Sequence, residues 1–382
     1  MSFSQNKNIK HISNLVIWVS LIVCFIYVFL LYNQSVVFFN RTPWDGTFQT
    51  LFPLRKMDNG EFPGKDFFYF HGNGIPYLLY PIYSFLKFFG VGEILSALHS
   101  TFIINTIALF LPIYLLVKKQ YSKEIALIST FICLILFDFL PFVGAYFSPL
   151  FLGAPMGIRC LPHMIVAIAF LSLMKRLNIG ELKSEIIVLL WFAFWTSIGV
   201  YLGAEQGFYS AAAGAVAFGL YYWISSGQFL RAFTLSFAYL ILFAIFLVLT
   251  SLLFFQSLDS IKAVKIIAED QVWVFGVYPN SFFTSLDELF KFTNMSAVPS
   301  QIATILSTCY LLVLIYLLRI KVINTAVFCS FFILYFGGLL SWVSNVGYIG
   351  AHQTALMIRF LMLGLIPLFY ILLKRYKLNE YS

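Results

Sequence analysis

Ala232–Phe255 reads AFTLSFAYLILFAIFLVLTSLLFF, an uninterrupted run without a single charge. About 20 apolar residues in a helix cross ~30 Å of hydrocarbon, so this run predicts a membrane span. Further apolar runs recur at about 14–32, 94–117, 125–143, 156–174, 186–204, 206–224, 300–318, 322–343 and 355–373. They predict an all-α, polytopic integral membrane protein of about ten transmembrane helices. Composition agrees: 61% of the residues are hydrophobic and 10% are charged, against roughly 25% charged in soluble domains. That much apolar surface has no soluble core to enter, and lipid becomes the expected solvent. The first run exceeds the 7–15 apolar residues of a signal peptide and no small-x-small site follows, so it reads as a retained anchor.

Charge placement gives an orientation. With the N-terminus in the cytoplasm, the short inner segments hold Lys7, Lys10, Lys118, Lys119, Lys123, Lys175, Arg176, Lys183, Arg231, Arg319, Lys321, Lys374, Arg375 and Lys377. Only Glu124, Glu181, Glu185 and Glu380 oppose them. This positive-inside pattern predicts cytoplasmic termini and accounts for the net charge of +8 without a nucleic-acid partner. The five cysteines (Cys24, Cys133, Cys160, Cys309 and Cys329) fall mostly in apolar runs and read as small core residues. No internal repeat or soluble-domain composition interrupts residues 1–382, which read as one membrane domain. Its outer segments are a first loop of about 33–92 and a second of about 256–299.

Within the first loop lies Thr42–Pro81, TPWDGTFQTLFPLRKMDNGEFPGKDFFYFHGNGIPYLLYP. It gathers Asp45, Arg55, Lys56, Asp58, Glu61, Lys65, Asp66 and His71, punctuated by glycines and prolines. A plain connector needs about half a dozen residues, so this density reads as a functional site. Thr47–Met57 suits a short helix, and Tyr77–Phe89 a helix lying along the membrane surface. Asp45, between Trp44 and Gly46, suits an exposed carboxylate at an apolar boundary, where partial desolvation makes a better base. It suits a helix N-cap as well. Asp66 is either a second working carboxylate or a partner of Lys65 or Arg55. His71 reads as a hydrogen-bonding neighbour, because no second histidine stands at metal spacing.

Ionisable residues within spans are costly and point to function. Asp138 lies in the third run. Arg159 and His163 open the fourth run one helical turn apart, and Glu205 marks the almost loopless step between the fifth and sixth. His352 and Arg359 flank the start of the last run, seven residues apart. All but Asp138 fall toward the same outer side as Asp45, although each arginine also suits snorkelling to headgroups. No GxxxxGK[ST], no GxGxxG opening a βαβ unit and no HExxH occurs, which argues against a P-loop pump and a common zinc protease.

The early Asp45, the run Gly60-Glu61-Phe62-Pro63-Gly64-Lys65-Asp66-Phe67-Phe68-Tyr69-Phe70-His71-Gly72, the aromatic surface helix and the long span after it resemble bacterial glycosyltransferases of the C superfamily (GT-C fold). The likeness covers roughly residues 14–118. It is similar to the branch that includes enzymes transferring mannosyl, arabinofuranosyl and aminoarabinose groups from polyprenyl phosphate. Two features depart from that pattern: Asp45 is followed by Gly46 rather than by a second acid, and no outer C-terminal domain follows the last run.

The resemblance implies an inverting transferase in a bacterial inner membrane, with its site facing the periplasm and a role in the cell envelope. It implies a polyprenyl-phosphate sugar donor and a glycan, lipid or protein acceptor. Asp45 would be the base and Asp66 its positioning partner. Arg159 and Arg359 would clamp the phosphate, assisted by His163 and His352, with Glu205 and His71 lining the substrate site. No cofactor is implied, and a divalent ion near Asp45 and Asp66 stays open. A transporter or flippase of lipid-linked saccharide and an O-antigen-polymerase-like enzyme remain the alternatives.

Overall fold

The computed structural model describes residues 47–69, 71–119, 123, 126–127, 129–130, 158–259, 261 and 298–343. Among these residues every regular element is a helix, and β pairing is confined to an isolated bridge between Pro63 and Phe67. The helices are α1 (Thr47–Asp58), α2 (Gly74–Phe88), α3 (Glu93–Lys118), α4 (Leu161–Met174), α5 (Leu182–Leu202), α6 (Ala204–Ser226), α7 (Phe229–Phe255), α8 (Val298–Arg319) and α9 (Thr325–Val343). A short 3₁₀ turn, Ile158–Cys160, leads into α4. The expected runs at 94–117, 156–174, 186–204, 206–224, 232–255, 300–318 and 322–343 each fall on a helix. Those at 14–32 and 355–373 lie outside the described residues, as does nearly all of 125–143.

Three of these helices, α3, α5 and α7, are long and apolar enough to cross a membrane. The turn-plus-α4 segment and the apolar parts of α8 and α9 are shorter. Helix α6 differs in kind. Its sequence, AEQGFYSAAAGAVAFGLYYWISS, is rich in alanine and glycine, and it packs against α4, α5, α7 and α9. Small side chains let backbones approach closely where lipid offers no hydrophobic drive for helix association. A Cβ at Gly207 would stand 2.5 Å from Val200 Cα, so only glycine lets α6 fold back this tightly on α5. By contrast α7 turns Leu230, Phe233, Phe237 and Leu253 outward, as a lipid-facing helix should.

From α4 to α7 successive helices alternate in direction, and α3 runs parallel to α4. Lys119 bonds Ser172 at one end of the bundle, and Arg231 meets Glu185 at that same end. Tyr201 stacks edge-on against Phe255 at the other, with ring centroids 4.8 Å apart. Ser330 Oγ donates to the Ala167 carbonyl while Gly337 packs on the His163 ring, so α9 runs antiparallel to α4. This topology places Lys118, Lys119, Lys175, Arg176, Lys183, Arg231, Arg319 and Lys321 at one end. The first loop is at the opposite end.

Helices α1 and α2 form a cap over the start of α3. Leu51, Leu54, Ile75, Leu79 and Tyr83 are buried there in a small core of their own with Tyr69 and Ile158. The charges around it are structural. Arg55 makes a two-pronged contact with Glu93 at 2.9 and 2.8 Å, Lys56 donates to Glu61 at 2.8 Å, and Lys87 pairs with Asp58. Tyr80 and Tyr83 donate to Asp58, at 3.2 and 3.0 Å. Exposed pairs of this sort contribute about 0–1 kcal/mol each. Their role is to fix how α1 and α2 lie on α3, so much of the loop's charge belongs to scaffold and not to chemistry. Helix α2 leaves Phe85 and Phe88 exposed, with Phe89 just beyond it, consistent with a surface-lying helix.

Candidate functional site

The loop after α1 reverses at Gly60 and tightens into the Pro63–Phe67 bridge. Asp66 is exposed, and its Oδ2 accepts the Phe62 N–H at 2.8 Å. Asp66 thus closes its own turn. Two residues past the bridge the chain goes under cover: Tyr69 is buried, and its N–H donates to Asn73 Oδ1 at 2.8 Å. Asn73 was not singled out in the sequence; its place between two glycines was the only hint.

His71 is then delivered to the junction of loop and bundle. Its ring Nε2 lies 3.2 Å from Gln49 Oε1 on α1, and its carbonyl accepts the Ala204 N–H at 3.1 Å. The next residue, Gly72, has φ +136°, and a Cβ there would lie 2.6 Å from the Tyr201 carbonyl oxygen. Only glycine combines that backbone angle with that approach. The loop is therefore latched to the elbow between α5 and α6 by main-chain atoms. Burial, with the nearby Arg159 charge, holds the His71 imidazole well below its ordinary pKa, so it is neutral at physiological pH.

Arg159 reaches the same junction from another direction. It sits in the 3₁₀ turn before α4, where Asn105 Oδ1 on α3 accepts the Ile158 N–H at 3.2 Å. A Cβ on Gly203 would stand 3.4 Å from the Arg159 carbonyl oxygen and 3.2 Å from Pro162 Cγ, so this elbow packs directly on the turn. An arginine Nη lies 3.6 Å from Glu205 Oε2, with the two side chains only 11% and 15% exposed. That distance is an ion contact, too long for a hydrogen bond. Beside Glu205, Gln206 is fully buried.

Of the sequence candidates, His71, Arg159 and Glu205 are thus brought together, from segments far apart in the chain. His163 is placed elsewhere: it is fully buried against α9, with its ring where a Cβ on Gly337 would be 2.1 Å away. Arg159 precedes the helix in a tighter 3₁₀ turn, so the one-turn spacing that suggested a shared face does not carry across to His163. Asp45, Asp138, His352 and Arg359 lie outside the described residues. Among the described residues no group of three His, Cys, Asp or Glu side chains is placed to hold a metal.

Two other features stand apart from this junction. Glu185, fully buried in α5, accepts from Arg231 at 2.7 Å, Tyr222 at 2.8 Å and the Gly180 N–H at 2.9 Å at the cation-rich end. An apolar groove of about 370 Å³ between α6 and α7, walled by Trp223, Phe229, Phe233 and Phe237, also lies toward that end. Neither touches the loop. No family model, no curated protein and no solved structure matches this chain.

Proposed function

We propose that the chain is a membrane glycosyltransferase that takes its sugar from polyprenyl phosphate and works at the loop end of the bundle. In this reading the chain is a single domain of about ten spans. Its cation-rich end and both termini are cytoplasmic, and the loop faces the periplasm of a bacterial inner membrane. The observation that carries it is the meeting of His71, Arg159 and Glu205 under the first loop, beside lipid-facing helices. An arginine that is nearly buried, at the end of the bundle where the first loop docks, suits a phosphate ester entering from the membrane.

Asp45 takes the proton of the acceptor hydroxyl as its oxygen attacks the anomeric carbon. The bond from that carbon to the phosphate oxygen breaks, its electron pair leaves with the polyprenyl phosphate, and the anomeric configuration inverts. Arg159, with Arg359, stabilises the charge that gathers on the leaving phosphate. His71 is neutral, so it contributes hydrogen bonds and not charge.

Purified chain in lipid nanodiscs, offered polyprenyl phosphates bearing hexose, arabinofuranose or aminoarabinose, should transfer one of them to an added acceptor. Asp45→Asn keeps the shape and the capping ability but should lose transfer by roughly 10²–10⁴-fold. Wild-type transfer by the Asn chain would end the assignment of Asp45. Absence of turnover with every donor would end the transferase reading.

A further inference from the structure

The first turn of α6 carries two polar side chains whose hydrogen bonding the fold leaves unmet. Gln206 is fully buried, and among the described residues neither its amide oxygen nor its amide nitrogen has a hydrogen-bond partner. Among the described residues Glu205 Oε2 is likewise buried without a hydrogen bond, with the Arg159 guanidinium 3.6 Å away. Ser84 Oγ on α2 shares this state, but most buried polar side chains among the described residues do not. Buried Glu185 has three donors, buried Asn105 accepts the Ile158 N–H, and buried Ser330 and Thr196 both donate to carbonyls. Leaving a buried polar group unpaired costs its full desolvation, so such a group in a folded protein calls for a ligand or an ordered water.

We propose that Glu205 and Gln206 read the hydroxyl groups of a carbohydrate, and that Gln206 is a specificity-determining residue of the site. This rests on the proposed function and names how its sugar is chosen. The chemistry narrows the ligand. A carboxylate and an amide side by side offer several acceptors and two N–H donors. A guanidinium 3.6 Å from the carboxylate opposes a metal cation there. The carboxylate in turn opposes an anion on its own side. What remains is a neutral group that both donates and accepts, and the adjacent hydroxyls of the sugar in the proposed function are such a group. Any phosphate then belongs on the Arg159 side, and the sugar on the side of Glu205 and Gln206. The His71 carbonyl already takes the Ala204 N–H and Gly203 the Gly207 N–H, so the helix start is held in place before a ligand arrives.

Gln206→Leu keeps the bulk and removes every hydrogen-bonding atom. In nanodiscs, binding is read by heat stability and by displacement of a fluorescent polyprenyl phosphate. The probes are bare polyprenyl phosphate, the same lipid carrying glucose, mannose, galactose, arabinofuranose or aminoarabinose, and the free methyl glycosides of these sugars. The wild-type chain should prefer one glycosylated lipid to the bare lipid, and millimolar methyl glycoside of that sugar should stabilise it. Gln206→Leu should lose that preference by about tenfold or more, the loss of one hydrogen bond, while binding bare lipid as before. Without ligand it should melt at or above the wild-type temperature, because an unmet amide has been removed.

A Leu variant that melts well below wild type without ligand would show a water-held structural amide and overturn the proposal. So would an unchanged sugar preference, even with transfer intact, in which case the transferase reading survives. Stabilisation by a methyl glycoside that is lost in Gln206→Leu supports the proposal even where no lipid donor binds. If no glycoside and no glycolipid is recognised by the wild-type chain, the proposal falls.

Discussion

Replacing Gly72 with alanine should release the first loop from the bundle. Two costs add. At φ +136° an L-residue is strained, by about 1–3 kcal/mol. The new Cβ would also stand 2.6 Å from the Tyr201 carbonyl oxygen, where carbon–oxygen contacts normally begin near ~3.3 Å. Relief requires the loop to retreat by about 0.7 Å, and forced repacking of this kind costs about 1–3 kcal/mol. The sum is roughly 2–6 kcal/mol against docking, and because 1.4 kcal/mol is tenfold, the undocked fraction should rise at least about 30-fold. Ile75 is fully buried beneath the loop and reports on it. In a background lacking the native cysteines, maleimide labelling of Ile75→Cys should accelerate by that factor when Gly72→Ala is added. Gly60→Ala is the control, because Gly60 also has positive φ (+83°) but has nothing within 4 Å of its would-be Cβ. It should leave labelling of Cys at 75 almost unchanged. A Gly72→Ala rate within about threefold of the parent would refute the latch.

Arg231→Met leaves the buried Glu185 carboxylate without its cation and should lower the melting temperature by several degrees; adding Glu185→Gln should restore part of the loss, since the neutral amide oxygen still accepts from Tyr222 and the Gly180 N–H. Loop docking should weaken in acid, because the folded His71 pKa lies well below the ordinary 6.5. Between those two values the undocked chain binds the extra proton, so stability is full above about 6.5 and falls as pH drops beneath it. Labelling of Cys at 75 should rise accordingly, and the rise should be absent from a His71→Gln chain measured at each pH. Arg159→Lys keeps the charge and loses the planar fork, and transfer should fall by roughly 10-fold or more in a donor titration. In the proposed orientation an impermeant maleimide applied from outside the cytoplasm should label cysteines placed at Gly60 but not at Lys183 or Lys321, and the reverse pattern would invert the orientation.

The apolar helices were legible because lipid imposes a length and a polarity on each run, and α3 and α7 fall within a few residues of their expected bounds. Helix α6 was legible as a helix but not as the centre of the bundle, which depends on where its alanines and glycines point. The charged loop was legible as unusual, but the structural pairing of Arg55, Lys56 and Asp58 was not. Arg55 and Glu93 are 38 residues apart, and nothing local in the sequence says that a loop cation has a structural partner across that distance. The meeting of Arg159 with Glu205 followed from both lying at outer ends of runs. The separation of Arg159 from His163 did not, because a 3₁₀ turn ahead of α4 carries no distinctive composition. Gln206 was invisible as a candidate for the opposite reason: a glutamine next to a glutamate draws no notice until its burial is known.

The His71–Ala204 latch has a consequence for how such a protein can diversify. It is written in carbonyl and amide groups, together with glycines at 72 and 203, and so it makes no demand on the side chains at 205 and 206. Scaffold and selectivity are thereby uncoupled at adjacent positions. Exchanging the Glu-Gln pair for other polar pairs should retune what is recognised while the elbow keeps its shape. A small library confined to those two codons is then the economical way to redirect the molecule.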